Sequence, residues 1–345
     1  SHYACPARSK QFGRDPADSA SCAGHQRNPS FHACHDAFAP ESVVEAQLPK
    51  LTHRGAHCEG MVTMPSAMQT DYIHGSSQTE RERLALMNSL INDRCLDALE
   101  LTNEKRVLDV GAGTGLFTRL MAENLPADCR IVAVERDPEQ AEAALGNIGC
   151  GENRCTIDFR VGDAMDMPLE QEEPGSFDLA HTRFLLEHVP DPLTVVKNMV
   201  TAVKPGGRIV LLDDDHDLMR FWPEPEGLSE AWRAYWRSYY RLGTDPLIGR
   251  KLTTLLHQAG ADPVRIDYLF YGACAGSAEF SGIVDNLLGV LQGARHTVLS
   301  AGEISAEKYD LALENFELFK SLPDAAVWYV INLAEGRKPA ADSRN

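Results

Sequence analysis

The sequence predicts an α/β protein built on a doubly wound, mostly parallel sheet with helices on both faces. Three observations carry this. Short apolar runs alternate with helical stretches from Arg106 onward, the first run closes on the glycine-rich turn VLDVGAGTG, and an amphipathic helix stands ahead of the alternation. Apolar residues make up 43% and charged residues 24% of the 345 positions, and no run of eighteen apolar residues occurs, so a soluble protein without a membrane span is expected. No signal-peptide pattern opens the chain, which makes the cytoplasm the expected location.

The leading helix begins in HGSSQTERERLALMNSLINDRCLDALEL. Ser77 followed by Glu80 makes a capping box, and Leu84, Met87, Leu90, Ile91, Cys95, Ala98 and Leu99 recur at helical spacing. RVLDV is the first strand and LFTRLMAENL the helix after it. RIVAVE is the second strand, closed by Asp137-Pro138, a good cap and first helical residue for PEQAEAALGNI. Strands TIDFRV and SFDLAHT follow, then the helix DPLTVVKNMVTAV, a break at KPGG and the fifth strand RIVLLD.

Beyond it, residues 221–260 are helical and aromatic, holding Trp222, Trp232, Tyr235, Trp236, Tyr239 and Tyr240. The i, i+4 spacing of Tyr235 with Tyr239 and of Trp232 with Trp236 suits either core or substrate wall. RIDYLFYGA and AAVWYVINLAEGRK read as strands around a helical insertion at 277–321, which is expected to be a lid or substrate wall, with an oligomer contact such as a homodimer as its rival.

The net charge of −17 is not evenly spread. Six basic and six acidic residues cancel within residues 1–63, so the whole excess belongs to the remainder, and such an acidic body disfavours nucleic acid as a partner. The same 63 residues carry four of the nine cysteines and six of the twelve histidines. No CxxC pair stands among them and no complete zinc pattern results, so this segment reads as disordered or as upstream sequence outside the natural protein, with Met64 a candidate start.

Five motifs carry chemistry. In an open parallel sheet, ligands bind beyond the C-terminal strand ends, and Gly111, Gly113 and Gly115 let backbone approach a ligand there. A dinucleotide fingerprint would place its third glycine where Leu116 stands, which disfavours a nicotinamide oxidoreductase. Glu135, ending the second strand, suits the two hydroxyls of a ribose. Asp163 and Ala164 in GDAMDMP suit an adenine edge. FDLAHTRFLLEHVPDP brings Arg183 and His188 to the end of the fourth strand, and KPGG is the fifth motif.

In this order and spacing the five resemble the class I S-adenosylmethionine-dependent methyltransferases, especially the small-molecule branch that includes quinone-biosynthesis enzymes. The resemblance spans residues 72–260 and implies a seven-stranded Rossmann-like sheet whose last two strands are RIDYLFYGA and AAVWYVINL. It implies S-adenosylmethionine as cofactor, with Asp109, Gly111, Ala112, Gly113 and Arg183 around the methionine moiety, Glu135 at the ribose, Arg136, Asp163 and Ala164 at the adenine, and Tyr72 closing over it. It also implies a small-molecule acceptor and no nucleic-acid or membrane partner. The expected layout is a helical cap over 64–104, a cofactor core over 105–217, substrate-side helices, lid and last strands over 218–335, and a tail over 336–345.

Methyl transfer is an in-line displacement that positioning and desolvation can drive, with a general base where the acceptor needs one. His216 and His188 are candidates for that base. The run LLDDDHD sits where the fifth strand ends at the acceptor side. If the strand continues, Asp213 and Asp215 share one face and Asp214 the other, so no metal centre is expected from this run and Asp213, Asp215 or His216 is read as orienting or deprotonating the acceptor. A cofactor-binding regulatory protein and a protein or nucleic-acid methyltransferase are the alternatives, the last lacking an Asn-Pro-Pro-Tyr-like motif where HTRF stands.

Overall fold

The computed structural model describes residues 78–149 and 155–340. The readings of residues 1–63, of Ser77 as a cap and of Tyr72 over the cofactor lie outside the described residues. Chain order begins with α1 (Gln78–Leu99), β1 (Arg106–Val110), α2 (Leu116–Asn124), β2 (Arg130–Glu135), α3 (Pro138–Gly149), β3 (Thr156–Val161) and β4 (Phe177–Arg183). It continues through α4 (Pro192–Ala202), β5 (Val203–Asp214), β6 (Arg220–Trp222), α5 (Leu228–Arg241), α6 (Leu252–Gln258), β7 (Asp262–Phe270) and β8 (Ala273–Cys274). The last elements are α7 (Phe280–Ala301), α8 (Ala306–Phe319), β9 (Ala326–Trp328) and β10 (Val330–Arg337).

Seven strands form one sheet in the order β3-β2-β1-β4-β5-β10-β7. β1 to β5 pair in parallel, and β10 runs antiparallel between β5 and β7. This is the doubly wound sheet that the alternation predicts. The reversal at β1 and β4, neighbours in space but not in sequence, opens a crevice over their C-terminal ends. A second sheet of three short strands, β6-β9-β8, was not anticipated, since strands of two or three residues leave no readable period.

The KPGG break is also corrected. β5 already begins at Val203, so the break falls inside the strand: Gly206 turns to φ +75° and Lys204 to Gly207 are taken up as a register shift against β4 between Phe177 and Leu179. A Cβ on Gly207 would sit 2.8 Å from the Lys204 carbonyl oxygen, so this tight path requires glycine.

One apolar core packs α1, α2, α5, α7 and α8 against one face of the sheet, and another packs α4 and α6 against the opposite face. α1 contributes Ile91, Cys95 and Leu99 to the first. Its C-terminal end is fastened by Arg208 of β5, which donates to the Leu99 and Glu100 carbonyls and to the carboxylates of Glu104 and Glu335. Removing this largely buried cation leaves the buried Glu104 carboxylate with Thr102 as its donor and Glu335 with Arg265 at 3.3 Å, each short of one charge partner. Arg208→Ala should therefore lower unfolding free energy by about 3–5 kcal/mol, read by urea titration, and a loss under about 1 kcal/mol would show the network to be dispensable. No helix among the described residues is long and apolar enough to cross a membrane.

Candidate functional site

The crevice over β1 and β4 is lined by Asp109, Gly111, Ala112, Gly113, Glu135, Arg136, Asp163, Ala164 and Arg183 together with His181 and His188. Nine of the ten residues assigned to the cofactor thus converge on one concavity, although no two of the three stretches that supply most of them are adjacent in sequence. The glycine turn works through backbone conformation: Gly111 and Gly113 adopt φ +76° and +55°, values that side chains disfavour. Glu135 locks the turn to the strand end, accepting the Gly113 and Asp137 N–H groups at 2.9 Å each. Burial raises the Glu135 carboxyl above its ordinary pKa, opposed by those backbone donors.

Asp109 accepts the Thr118 hydroxyl at 2.6 Å and lies 3.3 Å from His181 Nδ1. The other ring nitrogen, His181 Nε2, is buried without a hydrogen-bond partner beside the crevice, an orphan that a bound polar group would satisfy. Arg183 is held by Asn88 and Asn92 at 2.7 and 2.9 Å and lies over the Phe117 ring at 4.1 Å. Asp163 accepts the Met165 N–H at 2.8 Å, which fixes its carboxylate at the crevice rim. A glycine-lined floor, an anionic acceptor two strands wide and an orphaned polar atom fit a ribosyl cofactor with a charged amino-acid tail.

A second, narrower cavity of about 70 Å³ opens behind the first. Its walls include Arg83 and Ile91 of α1, Trp232, Tyr235 and Tyr239 of α5, Tyr271, Asn286, Leu287 and Val290 of the insertion side, and Tyr329 and Ile331 from the last strands. Leu84, Met87, Phe184 and His188 line both spaces, so these four side chains form the partition between them. Of the aromatic stretch, Trp232, Tyr235 and Tyr239 are buried and face the cavity, whereas Trp222 is 66% exposed. Tyr235 and Tyr239 share a hydroxyl–hydroxyl hydrogen bond of 2.7 Å.

The polar end of this cavity holds Glu187, Asp214 and His216. His216 Nε2 is 2.8 Å from Glu187 Oε2, Tyr329 Oη is 3.5 Å from His216 Nδ1, and the Trp232 indole N–H donates to the His216 carbonyl. Burial pushes the Glu187 carboxyl up to about 8 and, with Glu187 beside it, the Asp214 carboxyl up to about 7. Burial likewise holds His216 below its ordinary value and His188 down at about 3, so both imidazoles are neutral. His188 stacks on Tyr239, with ring centroids 5.6 Å apart.

The reading of Asp213 as an acceptor-side residue is corrected. Its carboxylate is buried away from the cavity, accepting the Leu186 and Asp214 N–H groups at 2.8 and 3.0 Å. Asp215 likewise turns away, bound by Arg250 at 2.5 and 2.7 Å. The alternation of strand side chains holds, but it delivers Asp214 to the cavity instead. Sequence reasoning missed Asp214 for want of the strand's absolute facing, and missed Glu187 because it adjoins the candidate His188 on a short turn, Leu186–His188, with no period to read.

Comparison with known proteins identifies the family. The family described as "Methyltransferase domain" matches residues 80–266, over half of the chain. Methyltransferase str3 of Strobilurus tenacellus is 29% identical over 201 residues, covering 56% of this chain and 68% of that protein. A ubiquinone biosynthesis O-methyltransferase of Xanthomonas campestris is 38% identical over 106 residues, covering 31% of this chain and 41% of its own length. Tocopherol O-methyltransferase of Arabidopsis thaliana is 35% identical over 108 residues, 31% of this chain and 30% of that one. The chain thus spans well under half the length of these last two relatives. Among solved structures, phosphoethanolamine N-methyltransferase 2 of Haemonchus contortus with S-adenosyl-L-methionine aligns at TM-score 0.42 and 19% identity, covering 75% of this chain and 52% of that one. Because the family match takes in nearly all of α1, the glycine turn and all five parallel strands, the chain belongs to the class I S-adenosylmethionine-dependent methyltransferases.

Proposed function

We propose that the chain transfers the methyl group of S-adenosylmethionine to the hydroxyl of a small, flat acceptor held in the second cavity. The observation that carries this is the partition of Leu84, Met87, Phe184 and His188, with an aromatic-walled space on its far side from the crevice. Its walls, mostly apolar and aromatic with a few polar groups gathered at one end, are of the kind that hold a small molecule. Relatives named as O-methyltransferases favour an oxygen acceptor.

In this reading Glu135 accepts the ribose hydroxyls on the lone pairs left after Gly113 and Asp137 N–H bonding, since a carboxylate offers about four acceptor positions. Asp163, Ala164 and Arg136 take the adenine end, and Asp109, Gly111, Ala112, Gly113 and Arg183 the methionine end. S-adenosylmethionine supplies a methyl group on a sulfonium, an electrophile that needs no further activation. The chain's own part is to hold donor and acceptor in line across the partition and to exclude water, which α1, α5 and α7 do by closing the cavity on three sides.

Glu135→Ala should weaken S-adenosylmethionine binding by about 1.5–3 kcal/mol, the worth of a charge-assisted hydrogen bond, measured by calorimetry. Unchanged affinity would move the ribose elsewhere. The functional reading itself is tested by supplying methyl-labelled cofactor and a cell extract split by mass. Label should appear in the small-molecule fraction as an alkali-stable methyl ether; label confined to protein or nucleic acid, or none transferred despite cofactor binding, would overturn it.

A further inference from the structure

We propose that Glu187, Asp214 and His216 form a binding site for one divalent first-row transition-metal ion at the polar end of the second cavity. One ligand atom from each of the three lies within 4.8 Å of the others, and among the described residues this is the one group of three that does so. Metal–oxygen and metal–nitrogen bonds of about 2.0–2.2 Å place neighbouring ligands roughly 3 Å apart and opposite ones just over 4 Å, so small side-chain rotations close the set on a common centre. His216 Nε2 and Glu187 Oε2, at 2.8 Å, already have a neighbouring-ligand separation, with a proton where the ion would sit.

A second observation is independent of this spacing. Asp214 Oδ1 is buried and has no hydrogen-bond partner, even though the Tyr329 hydroxyl bonds the same side chain. A buried carboxylate oxygen without a donor is costly, and an ion bound there removes that cost. Charge points the same way. The one Arg or Lys lining the cavity, Arg83, is engaged by both Glu80 carboxylate oxygens at 2.7 and 2.6 Å and by Asn286 at 3.0 Å, so it pairs with Glu80 and not with the two acidic residues of the cluster.

The ligands are also braced. Trp232 Nε1–H donates to the His216 carbonyl, Tyr329 stands at His216 Nδ1, and Asp213 ties the Leu186 N–H beside Glu187 to the strand that carries Asp214. Such support is what holds metal ligands in place. Two oxygens and one imidazole nitrogen suit Mn²⁺, Fe²⁺ or Zn²⁺ better than Ca²⁺ or Cu⁺. Three protein ligands leave open positions facing the cavity. Resting on the function proposed above, those positions would take an acceptor oxygen and ease loss of its proton.

The test uses the full chain, stripped with chelator and then titrated with Mn²⁺, followed by electron paramagnetic resonance, with Zn²⁺ as competitor. One Mn²⁺ per chain, displaced by Zn²⁺, is expected. Asp214→Asn and Glu187→Gln should each weaken Mn²⁺ binding at least about 100-fold while S-adenosylmethionine binding stays intact and reports that the variants are folded. Asp217→Asn, in the same acidic run but half exposed and outside the cavity, should bind Mn²⁺ as the parent does. Absence of stoichiometric binding, or binding that survives in both Asp214→Asn and Glu187→Gln, overturns the site. Metal binding without transfer to any small molecule would leave this site standing and count against the function instead.

Discussion

Gly113→Val should abolish measurable S-adenosylmethionine binding, a loss exceeding about 100-fold or about 2.7 kcal/mol, while leaving a folded protein. Two effects add. Gly113 stands at φ +55°, where a β-branched residue costs roughly 1–2 kcal/mol before any ligand is present. Its added Cβ would meet only the Gln140 side chain, at 3.3 Å, so the isopropyl group projects into the crevice, against the surface on which the cofactor must lie. The Glu135 contact at the Gly113 N–H would also shift, loosening the ribose acceptor. Circular dichroism and melting would show the fold retained; parental affinity in such a folded variant would show that the cofactor does not touch this turn.

Val290→Trp should produce the opposite split, with cofactor affinity within about twofold of the parent and methyl transfer reduced at least about 100-fold. Val290 of α7 lines the second cavity alone and is buried there. An indole added at that position occupies most of the space available to an acceptor, and overpacking typically costs about 1–3 kcal/mol of stability, which a folded domain can absorb. Measured together, the two variants separate donor site from acceptor site. Transfer at the parental rate by Val290→Trp would place the acceptor outside this cavity.

How far the sequence carries depends on which structural quantity each residue needs. The parallel core was legible because strand and helix periods are local, and the crevice was legible because RVLDVGAG, RIVAVER and GDA each end a strand on the ligand edge of one sheet. The second cavity was legible only in part. Trp232, Tyr235 and Tyr239 could be counted onto a helix face, but that this helix packs on α7 and α8 and shares a cavity with α1 and β10 depends on packing between segments distant in sequence. The run LLDDDHD shows the limit most sharply. Its alternation was correctly expected, yet alternation fixes only relative facing, so Asp213 was favoured where Asp214 faces the cavity. The partner that makes Asp214 and His216 a cluster, Glu187, comes from the turn after β4 and is brought to them by the β4–β5 register.

The central claim is that donor and acceptor occupy two spaces separated by Leu84, Met87, Phe184 and His188. A crystal structure of the full chain with S-adenosylhomocysteine tests it most directly. The account predicts ribose hydroxyls on Glu135, adenine beside Asp163 and Ala164, and the sulfur directed at that partition with the second cavity free of cofactor. A sulfur pointing to bulk solvent, or any part of the cofactor seated among Trp232, Tyr235 and His216, would contradict it.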